Sequence, residues 1–106
     1  MKTEMPKDFE ITDDMIAGGV SGSAKSCPVA EGLWATKRFV AVYVTRDKVH
    51  VRLFGTREFT TLDMDDNMKA HVRHYDIYKK MPEMTVTVNQ YNTLVTHSHP
   101  LPEPKN

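Results

Sequence analysis

Cysteine is almost absent from this chain: Cys27 is the single cysteine among 106 residues. One thiol cannot form an internal disulfide, and the opening MKTEMPKDFE has no apolar stretch of the kind found in secretion signals. The longest apolar run, residues 39–44, is far shorter than the roughly 20 residues that a membrane-spanning helix needs. These absences predict a reduced, cytoplasmic protein that does not enter a membrane.

An excess of charge of either sign is also missing, since 14 Lys and Arg residues balance 14 Asp and Glu residues. This balance argues against binding that depends on broad neutralisation of phosphates, although it leaves room for a local basic patch. The sequence also lacks a nucleotide-binding loop, a metal-binding motif and a nucleophile with a recognisable base. We therefore predict a protein that is not an enzyme and that uses no cofactor.

The two ends of the chain contain little that could be buried. Residues 1–8 are mostly charged, and residues 97–106 contain three prolines, so both are predicted to be disordered tails. Residues 9–96 are predicted to form one domain, which is long enough for a hydrophobic core.

Several helix-boundary signals lie close together in residues 11–34, ITDDMIAGGVSGSAKSCPVAEGLW. Thr12 or Asp13 can cap a short helix, and the glycine pair at 18 and 19 is expected to end it through a left-handed conformation. A second helix is predicted to begin with Pro28 in its first turn, where the missing N–H costs nothing. Gly32 inside this helix suggests that another backbone approaches closely.

The next segment is typical of strands. Residues 39–45 and 49–54 are β-branched and aromatic runs with the spacing of a hairpin, and residues 57–61 are predicted to add a third strand. Further strands are predicted at residues 84–88 and 92–96 from their alternating pattern. Alternation also predicts that the hairpin has an apolar face and an amphipathic face.

Between these strands, the pattern predicts a long amphipathic helix over residues 63–80, with apolar side chains spaced at Met64, Met68, Val72 and Tyr75. Asp63, Asp65 and Asp66 would lie at its N-terminus, where the helix dipole favours acidic groups. The fold class is therefore α+β, with two short N-terminal helices, an antiparallel β-meander, one long amphipathic helix and a C-terminal strand. The helices are expected to cover one face of the sheet.

The amphipathic face of the hairpin is the candidate binding surface. Tyr43, His50 and Arg52, with Arg57 near a strand end, combine aromatic and basic groups as proteins that bind single-stranded nucleic acids do. No RNA-recognition motif accompanies them, and half-exposed strands often carry such residues. If no helix covers this face, pairing of two copies into a homodimer is a further expectation.

Reactive side chains elsewhere are interpreted as structural. Cys27 begins a helix but has no histidine partner readable from the sequence, so it is expected to lie in the core. His71 and His74 could supply two metal ligands, but we expect one at the border of the core and the other in solvent. His97 and His99 lie in the predicted tail, where a site would not be preorganised.

A resemblance follows from the pattern I-x4-I-x-G at residues 11–18 and S-C-P-V-A-x-x-L at residues 26–33. The chain resembles a family of small uncharacterised bacteriophage proteins. Members also have a hairpin like residues 40–53, a helix with a pattern like residues 72–76 and a closing strand like residues 84–88. Gly32 departs from the alanine usual in the family. The resemblance implies a phage origin and no catalytic residues.

Two functions are favoured by the sequence over a third, a metal- or thiol-dependent enzyme that would use Cys27 or the pair of His71 and His74. The first is a non-enzymatic phage protein that binds a host or phage macromolecule in the host cytoplasm, for example to inhibit a host defence or other host machinery. The alternative is a protein that binds single-stranded nucleic acid with the exposed face of its hairpin.

Overall fold

The computed structural model describes residues 3–97, which form a mixed sheet with helices on one side. Its elements in chain order are β1 (Asp8–Ile11), α1 (Asp13–Gly18), α2 (Pro28–Ala35), β2 (Phe39–Val44), β3 (Lys48–Leu53), β4 (Thr60–Met64), α3 (Asp66–Tyr78), β5 (Met84–Val88) and β6 (Thr93–Thr96). The sheet has the strand order β1-β5-β6-β4-β3-β2. The pairing of β4 with β6 is parallel, and the other neighbouring strands are antiparallel. No helix within residues 3–97 has the length and apolar character needed to cross a membrane.

The core lies between one face of this sheet and the helices, because side chains alternate between the faces of a strand. The inward residues include seven that are at most 1% exposed: Ile11, Val42, Val49, Val51, Leu62, Val86 and Leu94. Helix α2 packs against β1 and β2, and α3 packs against β4 and β6. The predicted combination of helices with a sheet is confirmed, and β2, β3 and β4 pair in turn as an antiparallel meander.

The first helix begins as predicted, but its predicted ending is not observed. Thr12 is its N-cap and accepts a hydrogen bond from the amide of Met15 at 3.3 Å. Gly19, which follows the helix, has a φ of −72°, so the predicted left-handed ending is wrong. A side chain at Gly19 would instead meet other atoms, since an added Cβ would lie 2.9 Å from the carbonyl oxygen of Met15 and 3.0 Å from the hydroxyl of Tyr75.

Gly32 lies at the close contact between α2 and β1 that the sequence suggested. A Cβ added there would lie 2.8 Å from the carbonyl oxygen of Glu10 and 2.9 Å from Cδ2 of Phe9. Real Cβ atoms do not approach other atoms so closely, and the oxygen belongs to the backbone of β1. The glycine therefore allows the helix to lie against the edge of the sheet.

Strand β1 was not predicted from the sequence. It begins at Asp8, inside the segment predicted to be a tail, and pairs with β5 so that Phe9 lies opposite Val86. The residues before it are also in contact with the domain, since Pro6 is buried and the amide of Thr3 donates to the carbonyl oxygen of Phe54 at 3.3 Å. The predicted C-terminal tail, residues 97–106, lies outside the described residues except for His97.

The prediction of one long helix over residues 63–80 is wrong at both ends. Residues 63 and 64 belong to β4, and Asp65 is the N-cap, accepting the amide of Met68 at 2.7 Å. At the other end, Lys79 is left-handed with a φ of 55°, so the helix ends at Tyr78, four residues before Pro82. Helix α3 therefore has 13 residues, and Asp63 is a strand residue instead of a helix-capping one.

The third strand is displaced from its predicted position. It was expected at residues 57–61 but occupies Thr60–Met64, because Leu62 and Met64 alternate into the core. The predictions for the last two strands are closer to the structure, since β5 matches residues 84–88 and β6 pairs with it antiparallel.

Candidate binding face of the sheet

The sheet face opposite the helices carries the side chains that the sequence proposed for binding. Tyr43 lies opposite His50, and His50 lies opposite Thr61 on the next strand. Arg52 projects from the same side of β3, two residues after His50. The structure therefore places Tyr43, His50 and Arg52 on one surface, which we call the open face.

The fourth proposed residue, Arg57, is separate from these strands. It is exposed in the loop between β3 and β4. The guanidinium of Arg52 reaches towards this loop, where Nη1 donates to the carbonyl oxygen of Thr56 at 3.1 Å. His50 is held by Thr61, whose Oγ1 lies 3.1 Å from Nδ1 of the ring. Two of the four side chains are thus already positioned by hydrogen bonds within the protein.

Two further side chains complete an exposed cluster around Tyr43. The ring centroid of Phe59 lies 5.9 Å from that of Tyr43, and Nζ of Lys25 lies 5.1 Å from the Tyr43 centroid. Tyr43 is 36% exposed and Phe59 is 51% exposed, so both rings offer apolar area to a partner. We call Lys25, Tyr43 and Phe59 the aromatic patch.

The sequence analysis missed both additions to the aromatic patch. Phe59 lies two residues before Thr61, so alternation continued back from β4 places it on the open face. The predicted third strand, residues 57–61, included Phe59, but its side chains were not assigned to a face. Lys25 lies in the loop before α2, which reaches β2 through a hydrogen bond from the amide of Val44 to the carbonyl oxygen of Ala24 at 2.8 Å. No local pattern in the sequence indicates that contact.

Charges on the open face are of both signs. Lys48 and Asp63 form an ion pair at 2.7 Å between β3 and β4. The hydrogen bond and charge of Lys48 lower the pKa of Asp63, and the same carboxylate raises the pKa of Lys48. At the far edge, β1 adds the exposed acids Asp8 and Glu10. The open face is therefore basic and aromatic towards β2 and acidic towards β1.

Replacing Lys48 with methionine is expected to return the pKa of Asp63 towards its usual value. Because the carboxyl has a lowered pKa only in the folded state, its contribution to stability is present above its ordinary pKa and is lost as the pH falls. Carboxyl-detected NMR titration would measure the change, with the exposed Lys7→Met as control. An unchanged Asp63 pKa in Lys48→Met would contradict the ion pair.

Cys27 lies in the core, as the sequence predicted, with 6% of its surface exposed. Burial raises the pKa of this thiol, and the backbone amides of Ala30 and Val29 only partly offset that effect. The charge of Asp76 raises it further. The neutral thiol is therefore the dominant form at neutral pH, in contrast to the thiolate that a nucleophilic cysteine needs.

The histidine pair of α3 lies in two different environments. His71 is fully buried and donates Nδ1–H to the carbonyl oxygen of Asn67 at 2.8 Å, so it belongs to the core and not to its border. His74 donates Nδ1–H to the carbonyl oxygen of Lys80 at 2.7 Å, and its ring lies 4.8 Å from that of Tyr78. Among residues 3–97, no three His, Cys, Asp or Glu side chains are grouped as a metal site would require.

Of the two histidines in the predicted C-terminal tail, the structure describes His97 only. His97 is exposed, and its Nε2 lies 3.3 Å from Oγ1 of Thr87. His99 lies outside the described residues.

Comparisons with protein-family models, curated proteins and solved structures gave no significant match to this chain. A function for the candidate site must therefore be inferred from its geometry and chemistry.

Proposed function

We propose that this chain is a small non-enzymatic protein of the bacteriophage type that binds a host or phage protein in the host-cell cytoplasm. Inhibition of a host defence or of other host machinery is the role that such binding would serve. The phage origin is supported by the resemblance at residues 11–33, and the binding role is supported by the open face of the sheet.

The aromatic patch is the observation that carries this proposal. Tyrosine and phenylalanine contribute much of the energy of protein interfaces when a partner removes them from water. Tyr43 and Phe59 lie side by side and exposed, with the positioned cation Arg52 on the same face. Both signs of charge surround them, which suits a protein surface with complementary charges better than it suits a uniformly negative polymer.

Single-stranded nucleic acid is the second candidate, and the same patch favours it. Bases stack on exposed aromatic rings, and Lys25 and Arg52 could meet the phosphates. The acids Asp8, Glu10 and Asp63 on the open face oppose a polyanion that extends along the sheet. A protein is therefore the first choice of partner.

The test compares Tyr43→Ala/Phe59→Ala with Ile77→Ala/Tyr78→Ala, a control that removes two exposed apolar side chains from α3. Each tagged protein is incubated with bacterial lysate, and captured proteins are quantified by mass spectrometry. We expect one partner to be lost by about tenfold or more from the first variant, as for central interface residues, and retained by the second. Equal capture by both variants, or none above background with the unmodified chain, would contradict the proposal.

Two further measurements test whether the open face binds nucleic acid or a second copy of the chain instead. Fluorescence anisotropy with a labelled oligothymidylate at low salt should stay flat, whereas the nucleic-acid candidate requires saturable binding that weakens with salt and in Arg52→Ala. Light scattering decides between a monomer, which leaves the open face to a different partner, and the homodimer expected from the sequence. A dimer that is lost in Tyr43→Ala/Phe59→Ala would assign the open face to a second copy of the chain.

A further inference from the structure

A cavity of about 150 Å³ lies on the helix side of the sheet, away from the open face. It lies where the end of β2, the start of α2 and the C-terminal half of α3 meet the loop before α2. Its lining residues are Gly22, Ser23, Cys27, Pro28, Val29, Val44, Thr45, Arg46, Val72, Tyr75, Asp76 and Met81. None of them is among Tyr43, His50, Arg52 and Arg57, the four binding residues proposed from the sequence.

The inner wall of the cavity is apolar and belongs to the core. Val44 and Val72 are each 8% exposed and Met81 is 9% exposed, whereas the central strand residues Val49 and Val51 are fully buried. The core is therefore accessible to solvent at this point. Tyr75 contributes mainly its ring, because its hydroxyl is already used to donate to the carbonyl oxygen of Ile16 at 3.1 Å.

The outer wall is a loop that is held in place before any ligand arrives. The amide of Gly22 donates to Oδ1 of Asp76 at 3.1 Å, which ties the loop to α3. The amide of Val20 donates to the carbonyl oxygen of Ser26 at 2.9 Å, closing the loop on itself. With the contact from Ala24 to β2, these bonds make the cavity a preformed one, as small-molecule sites usually are.

The charges at the mouth limit the chemistry of a ligand. Arg46 and Asp76 are both exposed and of opposite sign, and the carboxylate already accepts the Gly22 amide. The two charges at the mouth are therefore of opposite sign and balance, and the four aliphatic residues of the inner wall, Val29, Val44, Val72 and Met81, carry none. A neutral apolar group enters such a site without leaving a charge unpaired.

We propose that this cavity binds a neutral, compact aromatic or branched aliphatic group of about the size of benzene. A cavity of about 150 Å³ lined by aliphatic and aromatic side chains accommodates benzene in another protein, where it was created by mutation. Here Val29, Val44, Val72 and Met81 line the apolar side of a pocket of about the same volume, which is partly open to solvent and also has polar lining residues. The thiol of Cys27 lies in the wall and serves as a built-in reporter of occupancy.

The test uses the full-length protein with toluene as the probe and pyrazine as a polar ring of similar size. Methyl NMR should show saturable shifts with toluene at Val29, Val44, Val72 and Met81, and little change at Val51 and Val86 in the rest of the core. Pyrazine should shift none of them. Alkylation of Cys27 by iodoacetamide should slow about tenfold when toluene reaches roughly ten times its dissociation constant.

Filling the cavity provides a second test. Val72→Phe places a ring in the space and should abolish the toluene shifts, while Ile77→Phe places the same ring outside the cavity on the same helix and should leave them intact. Absence of saturable shifts in the unmodified protein, or equal binding by a folded Val72→Phe, would overturn the proposal. If Val72→Phe does not fold, the protection of Cys27 by toluene but not by pyrazine decides the question.

Discussion

Replacing Leu33 with alanine is expected to lower the free energy of unfolding by about 2–5 kcal/mol, the range for large core side chains cut back to alanine. Leu33 is fully buried on α2, where the helix packs against β1 and β2. Removing most of the side chain loses the free energy gained when its carbon atoms are transferred from water to the core. It also leaves a cavity that the surrounding residues can fill only in part. Urea denaturation followed by circular dichroism would measure the loss.

Two comparisons make this prediction specific. Leu33→Met keeps the volume and should cost less than about 1.5 kcal/mol. Ile77→Ala removes an aliphatic side chain that is 54% exposed on α3, and surface changes of this kind usually stay within about 0.5 kcal/mol. If Leu33→Ala costs no more than Ile77→Ala, the packing of α2 on the sheet is not as described.

Replacing Gly32 with alanine is expected to destabilise the fold by about 1–3 kcal/mol, the usual cost of overpacking. The direction is opposite to the usual effect, because alanine is normally better than glycine inside a helix by about 1 kcal/mol. The new methyl would lie 2.8 Å from the carbonyl oxygen of Glu10. Since that oxygen belongs to the backbone of β1, the helix and the strand would have to move apart.

Gly18 supplies the matched control for Gly32. It is also helical, at the end of α1, but a Cβ added there meets no atom within 4 Å. Gly18→Ala is therefore expected to stabilise the protein by about 0.4–1 kcal/mol, because alanine lowers the conformational entropy of the unfolded chain. Opposite signs for the two variants in parallel denaturation curves would support the close contact of α2 with β1. A stabilising Gly32→Ala would show that β1 does not lie there.

Much of the fold was predictable from short-range patterns. The hairpin of β2 and β3 follows from β-branched runs separated by three polar residues. The start of α1 follows from its N-cap Thr12, and the start of α2 follows from Pro28 in its first turn. Each of these signals acts within a few residues, so no knowledge of distant contacts is needed. The same holds for the placement of Tyr43, His50 and Arg52 on one face.

The boundary between β4 and α3 could not be predicted in this way. Met64 lies four residues before Met68, so it fits a helical stripe, but it also lies two residues after Leu62 and fits a strand. Both residues of each pair are buried, and periodicity alone cannot choose between the two interpretations. The parallel pairing of Met64 with Leu94 on β6 favours the strand.

The sequence alone determined the secondary structure that depends on neighbours along the chain: helix caps, the tight hairpin and the alternation that separates a core face from a wet one. Tertiary structure decided what depends on residues far apart, namely the recruitment of β1 to β5, the addition of Lys25 and Phe59 to Tyr43, and the cavity between α2 and α3. The physical reason is that capping and alternation are local interactions. Packing against a distant backbone leaves no periodic trace in the sequence.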